Sequence, residues 1–95
     1  MAVTVGVLGL AHGHVNTYLT QWRDHPEMEV RAVAAWDHDA GRLAQAEKNF
    51  GLQPRGDASQ LLADPGIEAV VVAAETSLHA SLVEQAAAAG KKIVL

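Results

Sequence analysis

Residues 3–14 read Val-Thr-Val-Gly-Val-Leu-Gly-Leu-Ala-His-Gly-His. β-branched and apolar residues lead into glycines, and a helical spacing begins at Val15. A buried strand, a glycine turn and a helix, in that order, open a dinucleotide-binding βαβ unit. The turn needs small residues because the chain reverses tightly and its backbone comes close to a pyrophosphate at the helix N-terminus. Gly9 takes the first, turn-forming position, Ala11 the second and His14 the third, with Gly13 one residue early. The stretch therefore reads G-x-A-x-G-H where the full fingerprint reads G-x-G-x-x-G.

Outward from this stretch, strands and helices alternate. Val3, Val5, Val7 and Leu8 are apolar on both strand faces, as a central parallel strand requires. Val15, Tyr18, Leu19 and Trp22 fall at i, i+3, i+4 and i+7 and predict one apolar helix face, stopped by Pro26. Met28–Trp36 reads as the second strand. Asp39 caps a helix over Ala40–Phe50, with Leu43, Ala46 and Phe50 inward and Gly51 closing it. Leu52–Arg55 reads as a weak edge strand, and Asp57 with Gln60 as a capping box for a short helix through Leu62. Asp64-Pro65-Gly66 is a turn, and Ile67–Ala74 a second fully buried strand. Thr76 or Ser77 caps the next helix, whose face is Leu78, Leu82, Ala86 and Ala89. Gly90 ends it, and Lys91–Leu95 begins a last strand. Strands alternating with helices predict an α/β fold: one Rossmann-type doubly wound parallel sheet over residues 1–95, in strand order 3-2-1-4-5.

Ninety-five residues with an apolar fraction of 49% suffice for one small domain with a real core. The net charge of −4 and the absence of a basic run argue against a nucleic-acid surface. No apolar run approaches transmembrane length, so no membrane partner is expected. The chain has no cysteine, which removes disulfides, Fe–S clusters and a thiol nucleophile and agrees with a cytoplasmic setting.

The carboxyl ends of the strands form one crevice in this topology. Gly9–His14, Asp37–Asp39 and Ala74–His79 all fall at that edge. A carboxylate at Asp37 can accept the ribose hydroxyls of an adenosine and repel a 2′-phosphate, which predicts NAD in preference to NADP. Arg42 is the one nearby cation that could reverse this. The plainer reading makes Asp37 and Asp39 helix caps, with Asp39 the better placed.

The segment from Ala69 to His79 and that from Ala86 to Leu95 resemble the Gfo/Idh/MocA oxidoreductases, as do Trp36-Asp37, Asn49-Phe50-Gly51 and Leu61-Leu62. The resemblance covers nearly the whole chain in the right order. It implies NAD or NADP chemistry on a sugar, cyclitol or related hydroxyl compound. It also implies a cofactor site lined by residues matching Thr76, Ser77 and His79. With the glycine turn and the second strand's end, the expected cofactor residues are Gly9, Leu10, Ala11, His12, Gly13, His14, Asp37, His38, Ala74, Thr76, Ser77 and His79. Ala11, His14 and Glu75 depart from the family pattern. Glu75 stands where the family usually has proline and adds negative charge near the phosphates. The family's proton-transfer lysine, in an E-K-P segment, and its substrate domain belong beyond Leu95. The chain is therefore expected to be the nucleotide half, without a catalytic residue of its own, inactive alone, and to act in a homo-oligomer.

Two rivals follow from the same residues. His12, His14, His38 and His79, with Asp37, admit a reading as zinc ligands. Their places in turns favour polar residues at a cleft mouth, and no metal is expected. Ala11 and Glu75 favour a non-catalytic dinucleotide-binding or regulatory module. A serine hydrolase is favoured less than the metal reading, for want of a G-x-S-x-G elbow.

Overall fold

A computed structural model describes residues 3–11 and 14–94, with the backbone alone for His14 and Thr76. Five strands form one parallel sheet: β1 (Val3–Leu8), β2 (Val30–Trp36), β3 (Gln53–Pro54), β4 (Ala69–Val72) and β5 (Lys92–Val94). Their order across the sheet is β3-β2-β1-β4-β5, the predicted doubly wound order. The helices are α1 (His14–Asp24), α2 (Ala40–Phe50), α3 (Ala58–Leu62) and α4 (Thr76–Ala88).

Each face of the sheet carries its own core. Val5, Val7, Ala35, Ala69 and Val71 pack with Val15, Leu19 and Ala46 of α1 and α2. Leu8, Ala34, Val70 and Val72 pack on the other face with Leu61, Leu62, Leu82 and Ala86 of α3 and α4. β4 is buried at every residue, because helices cover both its faces.

β2 departs from simple alternation. Its register against β1 slips between Val5, which faces Ala32, and Gly6, which faces Ala34, so Val33 is an extra residue. Val33 and Ala34 then lie toward the same layer, that of α3 and α4, while Ala32 and Ala35 face the other. A bulge of this kind flips every later side chain of its strand. It therefore decides on which side of β2 the residues leading into Asp37 emerge.

Several expected boundaries shift. β2 begins at Val30, not Met28, because Pro26–Met28 forms a 3-10 turn and Glu29 adopts a left-handed backbone with φ 58°. β4 is shorter than Ile67–Ala74, although its flanking Ala73 and Ala74 are buried. Tyr18 leaves the predicted apolar face: it is exposed and stacks on Trp22, 5.9 Å between ring centroids. Ala89 is exposed because it is the C-cap, where the chain turns away at Gly90. Asp57 caps α3 through the Gln60 N–H, but Gln60 returns its side chain to the Gly56 N–H, one residue outside a true capping box.

Gly9 ends β1 with φ +90°, and a Cβ there would sit 2.5 Å from the backbone N and Cα of Ala74. An L side chain is disfavoured at that φ by about 1–2 kcal/mol, and the overlap with fixed backbone comes on top. At Gly6 an added Cβ would meet first the Leu61 Cδ2, the end of a side chain that can rotate away. Gly9→Ala is therefore expected to lower unfolding stability by about 2 kcal/mol or more, and by more than Gly6→Ala. Urea unfolding of the two variants checks the order, and equal losses would contradict the contact at Ala74.

Candidate functional site

The glycine turn, the loop after β2 and the loop after β4 meet at the carboxyl edge of the sheet. Among the described residues of the turn, Gly9, Leu10 and Ala11 direct their N–H groups into the protein. Gly9 donates to the Trp36 carbonyl at 2.7 Å, and Ala11 to the Ala73 carbonyl at 3.0 Å. Between them, Leu10 donates to Asp37 Oδ2 at 2.6 Å. Each bond stitches the end of β1 to a neighbouring strand end.

Asp37 is the one charged residue buried among those described, with no exposure of its side chain. Besides the Leu10 N–H it accepts the Asp39 N–H on Oδ1 at 2.7 Å. Arg42, one turn into α2, adds its Nε and one terminal nitrogen to the same oxygen at 3.3 and 3.1 Å. Oδ2 therefore takes one donor where a carboxylate oxygen has room for two. Asp39, by contrast, caps α2 as predicted, accepting the Gly41 and Arg42 N–H groups. Those two backbone donors, Arg42 before Gly41, hold its carboxyl below the usual range.

Glu75 closes the cluster from the β4 side. Arg42 reaches its two carboxylate oxygens at 3.3 and 3.2 Å, and the His38 ring nitrogen Nε2 pairs with Oε2. The His38 bond chiefly, together with the Arg42 contacts, holds the Glu75 carboxyl down to about 2. Neither partner was expected from sequence, which read Arg42 and Glu75 as separate perturbations. The signal was present in the strand order: it sets the loops after β2 and β4 on either side of the β1 turn, and one carries Arg42 and His38, the other Glu75.

The other expected residues are placed as follows. Ala74 is buried beneath Gly9 and supports the turn. Ser77 is exposed in the first turn of α4, and His79 is half-buried one turn further. Neither Thr76 nor Ser77 is the cap of α4: that place falls to Glu75, which makes no side-chain cap bond because Arg42 and His38 engage its carboxylate. His12 and Gly13 lie outside the described residues, as do the side chains of His14 and Thr76. Among the described residues no three His, Asp or Glu side chains are grouped as metal ligands.

The chain matches over residues 3–95 the model of an oxidoreductase family with an NAD-binding Rossmann fold. It belongs to the Gfo/Idh/MocA oxidoreductases. An uncharacterized oxidoreductase of Rhizobium meliloti is 33% identical over 92 residues, 97% of this chain and 27% of that protein. The scyllo-inositol 2-dehydrogenase (NAD(+)) of Bacillus subtilis (strain 168) is 34% identical over 65 residues, 67% of this chain and 19% of the enzyme. Among solved structures, biliverdin reductase from Synechocystis sp. PCC 6803, in complex with biliverdin and NADP+, superposes with a TM-score of 0.86 at 28% identity. The match covers 98% of this chain and 28% of that one. The chain thus spans about a quarter or less of the length of these relatives.

A dinucleotide fits what this Gfo/Idh/MocA domain presents. A Cβ at Gly9 would overlap the Ala74 backbone, so β1 ends in a bare backbone turn packed against the segment after β4. A buried carboxylate with spare acceptor capacity stands at the end of β2. The Glu75 ion pairs make a pH prediction. The folded-state carboxyl lies near 2, below its ordinary 4.5, so its stabilisation is complete above 4.5 and fades as pH falls toward 2. The melting-temperature gap between wild type and Glu75→Gln should narrow as pH falls below 4.5 and close near pH 2. A gap independent of pH would dissociate Glu75 from this role.

Proposed function

We propose that this chain is the nucleotide half of an NAD-dependent oxidoreductase acting on a sugar, cyclitol or related hydroxyl compound. The family supports the chemistry, and the name of the Bacillus subtilis relative supports the substrate class. The observation that carries the cofactor assignment is the buried Asp37 carboxylate at the end of β2, bonded to the glycine turn through Leu10. A nicotinamide cofactor held by these residues would supply hydride chemistry at the substrate's carbinol carbon.

The chain's own residues bind and orient. Gly9 brings the backbone close beneath the cofactor. Because the N–H groups of Gly9, Leu10 and Ala11 are engaged within the protein, the pyrophosphate must draw on the first turn of α1. Asp37 Oδ2 accepts a ribose hydroxyl once the side chains that cover it turn aside, since the carboxylate has no exposure in this structure, and its charge disfavours a 2′-phosphate. The cofactor residues of this reading also include Leu10, His12, Gly13 and His14 from the chain between β1 and α1, His38 after β2, and Ala74, Thr76, Ser77 and His79 after β4. The regulatory-module alternative loses its main electrostatic support, because the added charge of Glu75 is compensated by Arg42 and His38.

Fluorescence titration with NADH and NADPH tests the assignment. Wild type should prefer the cofactor without the 2′-phosphate, and Asp37→Ala should lose most of that preference. The same variant leaves the Leu10 and Asp39 N–H groups without their acceptor and should cost about 1–3 kcal/mol of stability. Equal wild-type affinities, or a variant that keeps the full preference, would sink the role of Asp37. In the same assay Ala11→Gly should tighten both dinucleotides without altering the choice between them. No change would put the phosphates away from Ala11, over Gly13.

A further inference from the structure

We propose that Glu75 is a second determinant of cofactor choice, acting by drawing Arg42 away from the position in which it would receive a 2′-phosphate. The inference rests on the dinucleotide reading above and adds to it a residue from a different loop.

Arg42 is the cation of the cluster at the end of β2, where an adenosine ribose is held in this topology. A 2′-phosphate there, with close to two negative charges, calls for a guanidinium free to form paired hydrogen bonds. In this structure that fork is already engaged. Its Nε and one terminal nitrogen lie on Asp37 Oδ1, and the same terminal nitrogen lies 3.3 and 3.2 Å from the two oxygens of Glu75. Glu75 comes from the β4 side, so its pull carries the side chain of Arg42 across the mouth of the crevice. His38 pairs with Glu75 from the same side as Arg42 and holds the carboxylate in place. A 2′-phosphate would thus meet carboxylates and gain no free cation.

Release of Arg42 has somewhere to go. On its other flank Arg42 lines a cleft of about 310 Å³ with Leu10, Asn16, Gln45 and Asn49. The side chain is about one-third exposed, so it can turn outward without disturbing the core. Of its present partners, Asp37 and the His38 ring nitrogen, 3.3 Å from the same terminal nitrogen, would then remain.

A purely bracing role for Glu75, tying the two loops together, would change the affinity for both cofactors alike. A selectivity role changes their ratio. The test is calorimetric titration of wild type, Glu75→Gln, Arg42→Gln and the double variant with NAD and NADP, and with 5′-AMP and adenosine 2′,5′-bisphosphate as the adenosine halves. Thermal unfolding of each protein confirms that it is folded. Glu75→Gln keeps the size and one acceptor oxygen and removes the charge. It is expected to shift the affinity ratio toward the 2′-phosphorylated ligands on the order of tenfold, the scale of the freed Arg42 charge acting on a dianion through water a little beyond contact distance. With Arg42 also replaced, most of the shift should vanish. An unchanged ratio overturns the proposal, and so does a shift equally large without Arg42. If wild type binds none of the four ligands, the dinucleotide reading fails, and this inference fails with it.

Discussion

A carboxylate removed from water must replace its hydration with hydrogen bonds, or it does not stay charged. Asp37 does so with two backbone N–H groups and a guanidinium, and each donor comes from a different piece of the crevice. Leu10 brings the glycine turn, Asp39 the start of α2, and Arg42 the first turn of that helix. The same oxygens that satisfy the charge therefore set the turn after β1 in a defined relation to the end of β2. From Arg42 the linkage continues to Glu75 and so to the strand on the other side of β1. Removing one member of such a set leaves an uncompensated partner behind, so the cluster stands or falls as a unit.

The degenerate glycine motif becomes intelligible against that framework. Of the three positions, only Gly9 needs a positive φ and backbone contact that no side chain tolerates. Ala11 does not have a positive φ, so alanine is conformationally ordinary there, and its N–H serves the Ala73 carbonyl. Glycine at that second position serves the approach of a phosphate, not the shape of the turn. Ala11 is therefore compatible with the fold of the turn.

Much of the fold was legible because parallel, doubly covered strands leave a simple trace. Val70-Val71-Val72 has no polar face, and Leu43, Ala46 and Phe50 keep helical spacing. Asp39 and Gly51 mark the ends of α2 by their ordinary capping chemistry. The β2 bulge was not legible: alanines and valines fit either layer, and no glycine marks the extra residue. The left-handed Glu29 was equally silent, since nothing in its side chain announces that conformation. At the site, sequence placed the three loops at one edge but not the pairing among them. Which of Asp37, Asp39 and Glu75 receives Arg42 depends on distances of about an ångström, set by strand register and helix start.

The cap of α4 shows how one such pairing propagates. Thr76 and Ser77 have the side chains that helix starts favour, yet the boundary residue is Glu75. A glutamate there could have bonded the exposed N–H groups of the first turn. Its carboxylate instead spans the crevice to Arg42 and His38, and the helix begins on the Glu75 backbone carbonyl, which accepts from Leu78 and His79. The positive end of the α4 dipole still favours an anion at that carboxylate, in keeping with its depressed protonation. Negative charge is thus held at the mouth of the crevice by a cation on one side and a helix end on the other. That arrangement lets an acidic residue stand beside the glycine turn.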